Sequence, residues 1–177
     1  TLDVIVDQSA NPADYRLGDT ISRREQVKLA MNLASCQAVT VSDACNGTFE
    51  DLSSSDWGCK YAETAVANGF IAANPEFNPD RNVSKAEALK MIMNATGVEK
   101  GSNSQWEAAY VEGAVSAGVL AESFSDYTAA ATRGWIFQTA AEAVDLCGAE
   151  EDDDEDDLLG DLLDGLDDED DDTTTDK

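Results

Sequence analysis

Three short stretches of the chain place a hydroxyl residue directly before a cation: Ser22-Arg23, Ser84-Lys85 and Thr132-Arg133. A Ser followed three residues later by Glu has the spacing of a capping box, and Ser22/Glu25 and Ser84/Glu87 both show it. Each cation therefore falls on the first turn of an expected helix, where the backbone dipole disfavours positive charge. A shared anion reverses that preference, because free N–H groups at a helix start attract an anion and a guanidinium can grip a carboxylate in bidentate fashion. Arg23, Lys85 and Arg133 are thus candidate anion ligands. The carboxylate they face belongs either to a bound molecule or to the chain itself, with Asp51, Glu25 and Glu87 as the internal candidates.

Other chemistry finds little support. The chain has no His to act as a base near neutral pH, and neither a G-x-S-x-G turn nor a phosphate-binding loop is present. A non-enzymatic role without a cofactor is the expectation. Residues 78–89, "NPDRNVSKAEAL", alternate oxygen-bearing side chains like a calcium loop, yet lack the central Gly and carry Leu89 where the bidentate Glu belongs. Asn46, Asn82 and Asn94 match the glycosylation sequon, a pattern expected by chance at this length. Four cysteines, Cys36, Cys45, Cys59 and Cys147, occur without a C-x-x-C pair. Two disulfides formed in an oxidising compartment are favoured over zinc or free thiols. Proximity in sequence mildly favours Cys36–Cys45 with Cys59–Cys147.

The elements that must position these residues come in repeats. Trp57-Gly-Cys-Lys-Tyr61 returns 49 residues later as Trp106-Glu-Ala-Ala-Tyr110, and the same offset maps Ala65, Gly69 and Ile71 onto Ala114, Gly118 and Leu120. Each unit reads as two helices: one from the Trp to a terminating Gly, then a loop, then a second opened by Ser84 or Thr132. Pro75 and Pro79 keep the loop of the second unit out of helix. Counted from the caps, Val27, Leu89 and Phe137 fall at plus five, Ala30, Ile92 and Ala140 at plus eight, and Ala34, Thr96 and Val144 at plus twelve. That stripe predicts three second helices packed together. Repeat one spans about 1–45 and is incomplete, repeat two about 46–100 and repeat three about 101–149. Upstream of Ser22 the run Val4-Ile5-Val6 reads as an edge strand, an arm over the bundle or an ordered tether.

Charge divides the 177 residues unevenly. The net charge is −26, of which −16 lies in residues 150–177 and −10 in residues 1–149. The acidic segment is expected to be disordered, with Leu158, Leu159, Leu162, Leu163 and Leu166 on one side of any helix it forms against a protein partner or with divalent cations. Nucleic acid is an unlikely partner for so acidic a chain. No segment is apolar enough to cross a bilayer, and a start at Thr1 without a basic and apolar leader suits a mature exported protein.

Residues 49–87 resemble the S-layer homology repeat, whose pattern runs Phe-x-Asp, Trp, Ala, Gly-Ile, Phe-x-Pro and Ile-Thr-Arg-Ala-Glu. Here these are Phe49 and Asp51, Trp57, Ala65, Gly69 and Ile71, Phe77 and Pro79, and Val83 to Glu87. Unit three lacks the Phe-x-Asp and carries Trp135 in place of the Glu; unit one matches mainly in "ISRRE". The resemblance implies an all-α, pseudo-threefold bundle of helix-loop-helix repeats whose inter-repeat grooves bind acidic cell-wall or envelope polysaccharide, on an extracellular, cell-wall or S-layer protein. It adds Asp51, Trp57 and Trp106 to the three cations as candidate ligand-binding residues. The helical spacing of Trp57 and Trp106 with Tyr61 and Tyr110 favours a core role, with stacking on a sugar ring as the alternative.

Overall fold

The computed structural model describes residues 15–147, so Val4 to Val6 and the acidic segment lie outside the described residues. The described residues are mostly helical: α1 (Arg23–Leu33), α2 (Cys59–Ala67), α3 (Lys85–Thr96), α4 (Trp106–Ser116) and α5 (Arg133–Cys147), with a 3-10 turn (Ala34–Gln37) extending α1. Among them no strand forms beyond isolated bridges. No described helix is long and apolar enough to cross a membrane.

The caps explain where the second helices begin. Ser22 and Ser84 each accept the N–H of the Glu three residues on, and that Glu accepts the cap's own N–H, completing both boxes. Thr132 has half of this arrangement: its hydroxyl faces the Trp135 N–H at 3.4 Å, and no carboxylate returns the bond. At the other end of α3, Gly97 adopts φ +80° and lets the Val98 N–H reach the Met93 carbonyl, a left-handed stop that a side chain would strain.

The starts of these three helices are tied to one another. The N–H of Arg23 donates to the Arg81 carbonyl (2.8 Å), that of Lys85 to Ala129 (2.8 Å) and that of Arg133 to Asp19 (2.8 Å). Each helix thus gives an otherwise unpaired first N–H to the segment preceding the next, and the three bonds close on themselves. Ile21, Val83 and Ala131, the residues before the caps, are buried beneath this ring.

Below it α3 packs against α1, α4 and α5, and α2 packs against α1. Val27, Leu89, Ala30, Ile92, Ala140, Ala34 and Thr96 of the expected stripe are buried, whereas Phe137 and Val144 are half-buried. In α5 the inward positions are Ile136, Ala140 and Ala143, one residue before the expected ones at either end.

The cysteines form two disulfides, but the expected pairing is overturned: the bonds are Cys36–Cys147 and Cys45–Cys59. Helices α1 and α5 start side by side at the Thr20–Thr132 bridge and run in the same direction, so Cys36, fourteen residues past Ser22, lies level with Cys147, fifteen past Thr132. Cys45 has meanwhile travelled to α2. There Glu63, almost fully buried, accepts the N–H groups of Asn46 (2.6 Å) and Thr48 (2.8 Å) and fastens the segment beside Cys59.

Candidate functional site

The ring brings Arg23, Lys85 and Arg133 to one end of the molecule, each at the junction with the following helix of the cycle. At the α1/α3 junction the Arg23 guanidinium lies 3.4 Å from Glu87 and over the Phe77 ring, with only 12% of its side chain exposed. Arg81 holds the same Glu87 carboxylate at 2.7 Å. Burial alone pushes the Glu87 pKa up, but the Arg81 hydrogen bond, the Ser84 N–H and the charges of Arg81 and Arg23 outweigh it and hold the group below the usual carboxylate range. Burial likewise lowers the Arg23 pKa, against the pull of Glu87. Beside the pair a pocket of about 120 Å³ is lined by Ile71, Lys90 and Trp106.

At the α5/α1 junction Arg133 repeats the arrangement more loosely. Its Nη1 is 4.0 Å from Glu25, its Nε donates to the Tyr15 carbonyl (3.0 Å), and the guanidinium lies over Phe137. At the α3/α5 junction Lys85 makes no ion pair among the described residues. Its Nζ lies over the Trp135 (5.5 Å) and Phe124 (5.8 Å) rings, in a groove of about 320 Å³.

The three other candidates have different surroundings. Asp51 accepts the N–H groups of Phe77 and Asn78, both at 2.7 Å, so its carboxylate fastens the loop that carries Phe77 against Phe49. Trp57 and Trp106 contradict the favoured core role: they are 48% and 42% exposed, while Tyr110, one turn after Trp106, is 8% exposed. The rings are edge-on to Tyr61 and Tyr110, and Lys28 and Lys90 lie over them. Both cations stand six residues after their caps, a repeat position that the sequence carries but whose partners only the fold supplies. Arg24 was also missed; it bridges Asp56 and Asp80 and lies over Trp57.

This geometry meets a specific family pattern, since the model for the S-layer homology domain matches residues 48–89. Those residues are similar to the S-layer homology domain. The match runs from Thr48, just before the Phe49–Phe77 contact, through the capped start of α3 to Leu89. The chain is also similar to the middle cell wall protein of Brevibacillus brevis, 27% identical over 133 residues, which cover 74% of this chain and 12% of that protein. A surface layer protein of Brevibacillus choshinensis is 27% identical over 95 residues, 52% of this chain and 8% of its own length. The chain therefore corresponds to a small part of these curated relatives.

Proposed function

We propose that this protein is a non-enzymatic cell-envelope attachment module, located at the cell wall or S-layer, that binds acidic polysaccharide in grooves between pseudo-threefold related S-layer homology repeats. The observation that carries the reading is the closed ring of helix starts, which presents Arg23, Lys85 and Arg133 together at one end. The S-layer homology match and the two cell-surface relatives supply the setting. Aromatic rings beside the cations, Trp106 near Arg23 and Trp135 under Lys85, offer faces on which a sugar can stack. Asp51 contributes by holding the loop under Arg23 and not through a ligand contact of its own.

The internal ion pairs Arg23–Glu87 and Arg133–Glu25 favour a second reading, in which the fold serves as a structural or protein-interaction part of the cell surface that no longer takes glycan. Co-sedimentation of the full chain with purified cell-wall sacculi, before and after chemical removal of acidic substituents, separates the two. Attachment is expected and should weaken after the treatment. Failure to co-sediment with intact sacculi would leave only the structural reading.

A further inference from the structure

We propose that Asn46 is a deamidation site, kept closed by Glu63 and opened when the Cys45–Cys59 bond is lost. A reversible reduction of that bridge is thereby recorded as a permanent change in the chain. The inference stands apart from the polysaccharide reading and concerns the segment fastened along α2.

The chemistry needs only the chain and water. Where Gly follows Asn, no Cβ blocks the approach of the next backbone nitrogen to the side-chain amide. The Gly47 nitrogen forms a bond to Cγ of Asn46, the Cγ–Nδ2 bond breaks, and ammonia leaves with the Gly47 amide proton. Water then opens the cyclic imide at one carbonyl or the other, which leaves aspartate or iso-aspartate at position 46. The sequence contains two such pairs, Asn46-Gly47 and Asn68-Gly69, and all four residues are exposed.

At Asn46 one carboxylate holds the nitrogens that must move. Glu63 Oε2 accepts the Asn46 N–H (2.6 Å) and its Nδ2 (3.1 Å), and Oε1 accepts the Thr48 N–H (2.8 Å). Burial works to raise the Glu63 pKa, and the N–H groups of Thr48, Asn46 and Gly47 overcome it, so the attacking nitrogen is bound there too. With the leaving and attacking nitrogens both on an anion, Cγ cannot turn towards Gly47, and the negative charge that builds during attack is opposed. The bridge keeps loop and carboxylate together, because Cys45 precedes Asn46 and Cys59 stands one turn before Glu63 on α2. The remaining ties are weaker: the Ser42 N–H to Thr64 Oγ1 (3.2 Å) and the exposed Lys60–Asp43 pair. Loss of the bridge therefore raises the share of time in which the loop is open. The product cannot close again. Aspartate at position 46 sets a second carboxylate where the amide lay 3.1 Å from Glu63, and iso-aspartate lengthens the backbone and carries the Gly47 and Thr48 N–H groups out of register. Asn68 is held differently: its Nδ2 donates to the Thr64 carbonyl (2.8 Å) and the Gly69 N–H to that of Val66 (3.0 Å), both bonds belonging to the end of α2. It serves as the internal reference.

Peptide mapping by mass spectrometry, with iso-aspartate quantified, tests this on the full chain aged at mildly alkaline pH. In the oxidised chain Asn46 should deamidate at least about tenfold more slowly than in the same chain unfolded in urea with its bridges intact. A small dithiol, which opens the bridge by exchange and is itself oxidised to a cyclic disulfide, should raise the rate at Asn46 relative to Asn68. Cys45→Ser combined with Cys59→Ser should do the same while Cys36–Cys147 remains. Glu63→Gln keeps both bridges and isolates the carboxylate; it should speed Asn46 several-fold and leave Asn68 unchanged. Asn46→Asp reproduces the product, and the Thr48 amide should then exchange freely although both bridges are present. Equal rates at Asn46 in the oxidised and the urea-unfolded chain, or an unaltered rate in Glu63→Gln, would overturn the proposal. Equal acceleration of Asn46 and Asn68 in Glu63→Gln would overturn it as well, and a Thr48 amide still protected in Asn46→Asp would refute the permanence of the change.

Discussion

Gln26 is wholly buried between α1 and α3, with its Nε2 3.5 Å from the Ala88 carbonyl and its Oε1 lacking any protein partner. It stands four residues after its cap, as do Ala88 and Ile136, and all three are fully buried. An unpaired buried acceptor costs about 1–3 kcal/mol, and the single long bond on the other side of the amide returns little of it. Gln26→Met, close in volume, is therefore expected to raise stability by about 1 kcal/mol, seen as a higher denaturant midpoint at unchanged slope. A lower midpoint would mean that the amide is fully satisfied by a buried water. At this scale the sequence was partly legible. Arg23, Lys85 and Arg133 followed from hydroxyl–cation pairs and sit where the pairs put them. The exposure of Trp57 and Trp106 did not follow, because an i, i+4 spacing tells which residues share a helix face and is silent on whether that face meets protein or water. Lys28 and Lys90 over those rings were hidden for the same reason.

Between the helices, carboxylates hold the links that no regular element organises. Glu63 fastens residues 46–48 to α2, and Asp51 fastens residues 77–78 beside Phe49. In both, burial works to raise the pKa, and the backbone N–H bonds overcome it, so each titrates below its ordinary value of 4.5 or 3.8. Groups depressed in the folded state contribute stability that is fully present above the unfolded pKa and is lost as pH falls through the folded one. Acid should therefore loosen these links below about pH 4.5, with no change between pH 6 and 8 from this source. Hydrogen exchange at the Asn46, Thr48, Phe77 and Asn78 amides, followed down the pH scale after correction for the intrinsic rate, reads the effect directly. Glu63→Gln should open the first pair already at neutral pH. Helix starts were legible because a capping box is a local pattern, whereas the partner of Glu63 is a backbone segment that no side-chain pattern marks. The unmatched cap at Thr132 was visible as a departure, Trp135 for Glu, yet the contact of that Trp with Lys85 required the cyclic order of the helices.

Across the molecule the two disulfides close loops of very different size, 111 and 14 residues in sequence separation. Chain-entropy reasoning gives about 4.7 kcal/mol for a loop near 100 residues and about 3 kcal/mol for one near 15. Removing Cys36–Cys147 by paired Ser substitution should lower the denaturation midpoint more than removing Cys45–Cys59, and the reverse order would show that packing around the nearly inaccessible Cys59 dominates. That two bridges form was legible from an even count of cysteines without metal-ligand spacing. Their pairing was not, because it depends on α1 and α5 running alongside each other, a long-range relation that proximity in sequence inverts.

Cys147 is the last residue of α5, and the chain continues from it towards residue 177. A pull arriving from that side meets a covalent cross-link before it can strip a single helical turn. The load passes to Cys36 at the far end of the α1 extension and is shared by two helices lying alongside each other, so the fold is strained along its length and not unzipped from its edge. At about 3.5 Å per residue, the 111-residue separation spanned by the bond withholds on the order of 390 Å of contour. Oxidised, the chain withholds that length from a pull; reduced, it becomes a tether that yields under tension and lengthens before it breaks.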